Sequence, residues 1–271
     1  MTSHGPMPDW ERLFPSTPHR WQMGLRPAEA PAFFAREPDA AAVLAERARW
    51  LDASPGEYAA LLDEAAEPLA ETARFAGEWG AACGNGDLLA ALGRTWEPDF
   101  ALMVPGEDGI FRLAGGVVCF PSSWALREKL GRPMNEIHAP VPGLNPALAR
   151  QIDTFLDRLA PGAAWARDNW SLSRDAELNH HPSRKRPRLD ATITAVDVWL
   201  RIERQLLFKL PETRAVLFGI RVDVHPLASL TPPALAGLAH AVQTMEPAAL
   251  AYKGLAAARD ALLAICSGPS A

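Results

Sequence analysis

The sequence predicts an α+β domain: a curved antiparallel sheet with flanking helices. Three observations predict it. Helical and strand-like stretches come in blocks, helices first, then a hairpin, two helices, three strands and further helices, an order that suits an antiparallel sheet with one face free for a ligand. The strand-like stretches are joined by short turns, PGEDG at 105–109 and PET at 211–213, which antiparallel neighbours permit and parallel neighbours do not. Parallel β-α-β repetition is missing, and so are the G-x-G-x-x-G and G-x-x-x-x-G-K-[ST] strings of nucleotide-binding folds.

Residues 1–38 carry Pro6, Pro8, Pro15, Pro18, Pro27, Pro31 and Pro38, which remove backbone donors and break helices. They read as an N-terminal arm pinned by Trp10, Phe14, Trp21, Phe33 and Phe34, which covers a core edge, lids a pocket or contacts another subunit. A single domain is expected over 39–271. The pattern is helical over 39–51 and again over 55–79, where Tyr58, Leu61, Leu62, Ala65, Leu69 and Ala76 recur at helical spacing. Pro68 predicts a kink or break, and a short helix is expected over 87–92. FALMV at 100–104 and IFRLAGGVVCF at 110–120 form a hairpin, with Gly115 and Gly116 marking a bulge or a close approach to the backbone. Ser122 or Ser123 caps a short helix through Leu130 that Gly131 stops. A helix comes next over 146–159, then a strand over 165–172. The polar stretch 173–190, with HHPSRKRPR, reads as a solvated, mobile loop. Strands over 195–210 and 214–224 then pair, and 232–265 is helical.

The chain has 271 residues, 48% of them hydrophobic, and a net charge of −5, which supports a sizeable core and argues against nucleic-acid or membrane-surface partners. Cys83, Cys119 and Cys266 are too widely spaced for a zinc site and read as reduced thiols. There is no signal-peptide pattern and no long apolar run, so a cytoplasmic location is expected. The arm is a reason to expect contacts between subunits.

Alternation along 198–205 sets Trp199, Arg201, Glu203 and Gln205 on one face and Val198, Leu200, Ile202 and Arg204 on the other. Arg204 on an apolar side needs an anion, either an internal carboxylate such as Glu203, Asp168 or Asp223 or a bound carboxylate ligand. Arg221 and Asp223 add to a polar cluster on the next strand. His138 sits after a helix stop and before Pro140 and Pro142, which fix its direction. A fixed imidazole suits an axial iron ligand, a general base or a hydrogen-bond strut equally well. Asn169 is a further polar residue in an aromatic setting. His180 and His181, in the basic loop, are weaker candidates.

WALREKLGRPMNEIHAPVPG at 124–143, RDNWSL at 167–172, LRIERQLLFKLPETRAVLFGIRV at 200–222 and, more weakly, WQMGL at 21–25 resemble the haem-dependent oxidative N-demethylase family. The resemblance implies a PAS-like fold, heme b held by a histidine, and oxidation of a small N-methylated amine with O2 to an aldehyde and the demethylated amine. Electrons would come from NADPH through a separate flavin and iron–sulfur reductase, since this chain has neither an iron–sulfur cysteine set nor a dinucleotide fingerprint. Carried over by motif, His138 is the axial metal ligand, Arg201 and Arg204 are propionate partners with Arg221 beside them, and Glu203 and Asn169 are catalytic-pocket residues. The alternative is a non-catalytic haem-binding PAS-like sensor or carrier.

Overall fold

The computed structural model describes residues 8–81 and 86–267. Its centre is one open antiparallel sheet of seven strands: β1 (Arg26–Ala28), β2 (Ala59–Leu61), β3 (Asp99–Pro105), β4 (Phe111–Val117), β5 (Ala164–Ser173), β6 (Trp199–Lys209) and β7 (Val216–Pro226). They are ordered β1-β5-β6-β7-β3-β4-β2, and the fold class is α+β as expected. The helices are α1 (Trp10–Leu13), α2 (Ala30–Phe34), α3 (Ala40–Ala53), α4 (Pro55–Tyr58), α5 (Ala66–Glu78), α6 (Leu88–Thr95), α7 (Met134–Ile137), α8 (Leu144–Arg158), α9 (Pro232–Thr244), α10 (Pro247–Tyr252) and α11 (Arg259–Ser267). Among the described residues no helix is long and apolar enough to cross a membrane.

Register decides which side chains share a face. Arg204 stands opposite Asp168 and Arg221, whereas Glu203 stands opposite Asn169 and Val222. The face of Arg204 is sealed by helices. Its Trp170, Leu172, Leu200 and Ile202 pack with Leu238 of α9 and Leu262 of α11, and Leu206 and Phe208 pack with Phe34, Trp96 and Leu102. Each such side chain contributes about 1.5–3 kcal/mol on burial. The face of Glu203 is covered more loosely. Met103, Leu207 and Val216 lie under Leu156 and Leu159 at the C-terminal end of α8, and Ala101 and Phe218 lie under Leu126 and Ile137 of the 118–143 segment.

The N-terminal segment packs into the sheet and its core. Phe14 and Phe34 are buried, and β1 pairs with the start of β5, Arg26 opposite Ala166. Because β1 is only three residues long, β5 is left as an edge beyond Ala166.

The structure departs from the sequence expectation at three places. The helix expected over 55–79 is interrupted: Ala59–Leu61 pairs with β4 as an edge strand, and Pro68 falls in the first turn of α5, where its missing N–H costs nothing. Pairing across Gly115 and Gly116 explains the interruption. A Cβ on Gly116, whose φ is +146°, would overlap the Phe100 carbonyl, so the glycines admit β3 and β2 on either side of β4. The helix expected to start at Ser122 or Ser123 reduces to one turn, Arg127–Lys129. Ser123 instead takes a φ of 65° and its N–H donates to the His180 carbonyl. The stretch 173–190, expected to be solvated and mobile, is anchored: Asn179 and His181 are buried, and Asn179 donates to the Tyr58 hydroxyl at 3.0 Å. Cys119 is a free thiol that burial pushes up to about 12, and Cys83 lies outside the described residues.

Candidate functional site

The loosely covered face of the sheet gathers polar side chains. His138 ends α7; its N–H donates to the Met134 carbonyl at 2.9 Å, and its own carbonyl accepts from Val141 at the same distance. Pro140 and Pro142 stiffen the next turn of chain, and the Trp21 indole of the N-terminal segment donates to the Pro142 carbonyl at 2.7 Å. Burial, then the charges of Arg167 and Lys129, push the His138 pKa down to about 4. The ring is therefore neutral at pH 7. Its Nδ1 is enclosed and has no hydrogen-bond partner among the described residues.

Glu203 is buried. Its Oε2 accepts from Gln205 at 2.7 Å and, more weakly, from Asn169 at 3.4 Å. Arg167, opposite Gln205 in the ladder, belongs to the same face, and its Nε is enclosed without a partner. Lys253, just after α10, reaches the free edge of β5, where it donates to the Trp170 carbonyl at 2.8 Å. Burial pushes it down to about 8, against the pull of Glu203 and helped by Arg167. Arg201, also on this face, donates to the Glu177 and Leu178 carbonyls at 2.5 and 2.9 Å. Its Nε too is enclosed without a partner, and burial lowers its pKa to about 10. Beside Arg201, His180 Nε2 meets Asp175 at 3.2 Å; burial and Arg201 nevertheless hold this imidazole near 4.

Arg204 and Arg221 are elsewhere. Arg204 binds Glu37 bidentately at 2.8 and 2.9 Å and Asp223 at 2.5 Å. Arg221 donates to Glu97 at 2.5 Å and to the Phe33 and Ala35 carbonyls. The cavity these groups line holds only about 20 Å³, room for a water and no more. Thus His138, Asn169, Arg201 and Glu203 share one face, while Arg204 and Arg221 serve the other.

Sequence reasoning missed Arg167, Lys253 and the His180–Asp175 pair. Arg167 was readable, because alternation through RDNW sets it with Asn169 and against Trp170. Lys253 carried no local signal, since a helix end brings it to a strand edge far away in sequence.

Fold and site together define an α+β protein in which His138, Asn169, Arg167, Arg201 and Glu203 lie on one face of an antiparallel sheet. The family model for haem-dependent oxidative N-demethylase, alpha subunit-like, matches residues 44–263, and the chain belongs to that family. All the sheet face described above except Trp21 and β1 lies within the matched span.

Proposed function

We propose that this protein is a haem-dependent oxidative N-demethylase that holds heme b against the polar face of a PAS-like sheet in the 39–271 domain, the described part of the 1–38 arm, residues 8–38, closing its edge. A small N-methylated amine is oxidised there with O2. One oxygen atom leaves in the aldehyde and the other in water, and two electrons and two protons are consumed per methyl group released. The electrons come from a separate flavin and iron–sulfur reductase, which fits an alpha-type subunit, and the reaction takes place in the cytoplasm.

The observation that carries the proposal is His138. An enclosed ring nitrogen without a partner is costly, and a neutral imidazole on a rigid loop is the form that ligates iron. Half-buried Trp124, Trp199 and Phe218 and the cations on the same side suit a flat ring system with acidic side chains. Haem, when bound, supplies the O2 activation. The chain's own groups do the rest: His138 holds the iron, Arg201 adds positive charge to the pocket wall, and the Glu203 carboxylate, fixed by Gln205 and Asn169, holds the ammonium of a protonated amine and accepts its proton. Arg204 and Arg221 hold Glu37, Glu97 and Asp223 and so serve the fold.

The test is reconstitution with haemin. A Soret band is expected in the wild type and a shifted or lost one in His138→Ala; an unchanged band in that variant removes the ligand assignment. Aldehyde release from dimethylamine with a surrogate reductant then tests turnover. Intact haem with no product from any small N-methylated amine would replace the enzyme by a haem-binding sensor or carrier.

A further inference from the structure

Beside His138 stands a cation with no anion of its own. The Arg167 guanidinium makes no hydrogen bond or ion pair with the described residues, and its Nε is shut off from solvent. The carboxylate next in sequence is no help: Asp168 points to the opposite face and is taken by Arg12 and Arg26 at 3.0 and 3.1 Å. Glu203, the carboxylate whose charge Arg167 feels most, already accepts from Gln205 and Asn169. A second cation is close by. Lys253 uses one ammonium proton on the Trp170 carbonyl and lies 4.5 Å from the Trp170 ring and 5.8 Å from the Trp21 ring, which leaves donors free. Two half-buried cations thus face a single carboxylate. A half-buried guanidinium without an ion-pair partner, its Nε shut off from water, burdens the fold, so a retained one points to an anion that arrives from outside. A planar fork beside a point-charge ammonium suits a carboxylate.

We propose that Arg167 and Lys253 form a carboxylate-binding site next to His138 and that this pair, in place of Arg204 or Arg221, takes a propionate of the bound haem. The proposal rests on the haem-binding reading above. A carboxylate can also be carried by an amine substrate such as N-methylglycine, and the experiment separates the two sources.

Haemin and haemin dimethyl ester, whose propionates are free carboxylates in the first and uncharged methyl esters in the second, are titrated into the wild type, Arg167→Met, Arg167→Lys and Lys253→Met, with affinity read from the Soret band. Arg167→Met is expected to weaken haemin binding about tenfold, the worth of one charge-assisted pair, and to leave ester binding at the wild-type level. Lys253→Met weakens haemin less, and Arg167→Lys restores part of the loss. The Soret position stays that of the wild type in all of them, because iron ligation is untouched. Haem-free Arg167→Met is also expected to melt at or above the wild-type temperature, whereas an arginine that holds the fold together would lower it. Unchanged haemin affinity in Arg167→Met overturns the propionate assignment, whether or not turnover of N-methylglycine is lost. So does an equal loss for acid and ester. If the wild type gives no Soret band with either compound, the haem-binding reading itself fails, a different pattern from either of these.

Discussion

The arginines enclosed in this fold divide it into two regions. Arg47, Arg204 and Arg221 each meet a carboxylate of the chain: Asp99, Asp223 with Glu37, and Glu97. On the face of His138, Arg167 has no partner among the described residues and Arg201 has only backbone carbonyls and the Ser122 hydroxyl. Arg204 and Arg221 point to the side of the sheet opposite Arg167 and Arg201. In the first each arginine is matched by a carboxylate of the chain; in the second neither is, among the described residues. That difference says more about function than the count of arginines does, since a paired arginine holds the fold and an unpaired one anticipates a ligand.

The largest effect should come from breaking the first region at its most buried point. Arg47 and Asp99 are 0% and 1% exposed, and Asp99 also accepts the Cys119 and Phe120 N–H groups at 2.8 Å. Asp99→Ala strands a buried guanidinium and two amides, a loss of about 3–5 kcal/mol and a fall of about 10 °C in Tm. A melt displaced by only a degree or two would show that this region does not depend on its ion pairs. Arg204→Ala comes next. It takes the guanidinium from Glu37 and Asp223 and should cost about 2 kcal/mol, less than a fully buried pair, because Arg204 keeps 20% of its side chain exposed. Haemin affinity should stay unchanged in the folded variant. A loss of haemin affinity that spares the dimethyl ester would return the propionate to Arg204 and erase the division.

A pH titration probes the other region from its far end. His180 is folded in with a pKa near 4, set by burial and Arg201 against the pull of Asp175, compared with an ordinary 6.5. Arg186 faces it as well. Between those two values the unfolded chain binds more protons than the folded one, so the stability of haem-free protein falls as pH drops from about 6.5 to about 4. His180→Gln should flatten that slope as measured by chemical denaturation. A slope as steep as that of the wild type would mean that His180 is solvated and that the 173–190 stretch is loose after all.

Legibility in the sequence divides along the same line. The pairing of β6 with β7 was readable because WLRIERQ alternates over a full strand, and the same alternation already set Glu203 and Arg201 against Arg204. Without partners in view, the side of Arg204 could not be assigned its anions: Glu37 comes from a segment 167 positions away. The edge strand at Ala59–Leu61 was hidden because AAL inside a helical pattern has no strand signal of its own; its geometry comes from the glycines of β4. The polar run at 173–190 looked solvated because polarity is read locally, whereas its order comes from Arg201, which holds the Glu177 and Leu178 carbonyls from beneath.

The smallest effect tests how the N-terminal segment belongs to the face of His138. Trp21 reaches the His138 loop through a single directed bond, from its indole N–H to the Pro142 carbonyl, and its ring also lies near Gly143 and the Lys253 ammonium. Trp21→Phe keeps an aromatic ring and deletes the donor, so global stability should fall by only about 0.5–1.5 kcal/mol. The local consequence is larger in kind. With its donor gone, the Pro142 carbonyl is freed, and the loop carrying His138 loses its tie to residues 19–25. Hydrogen exchange at 138–144 should then speed up while exchange in β6 and β7 stays at the wild-type rate. Faster exchange spread evenly over the sheet would make Trp21 an ordinary core residue; exchange confined to the loop would make the segment a strap over the face of His138.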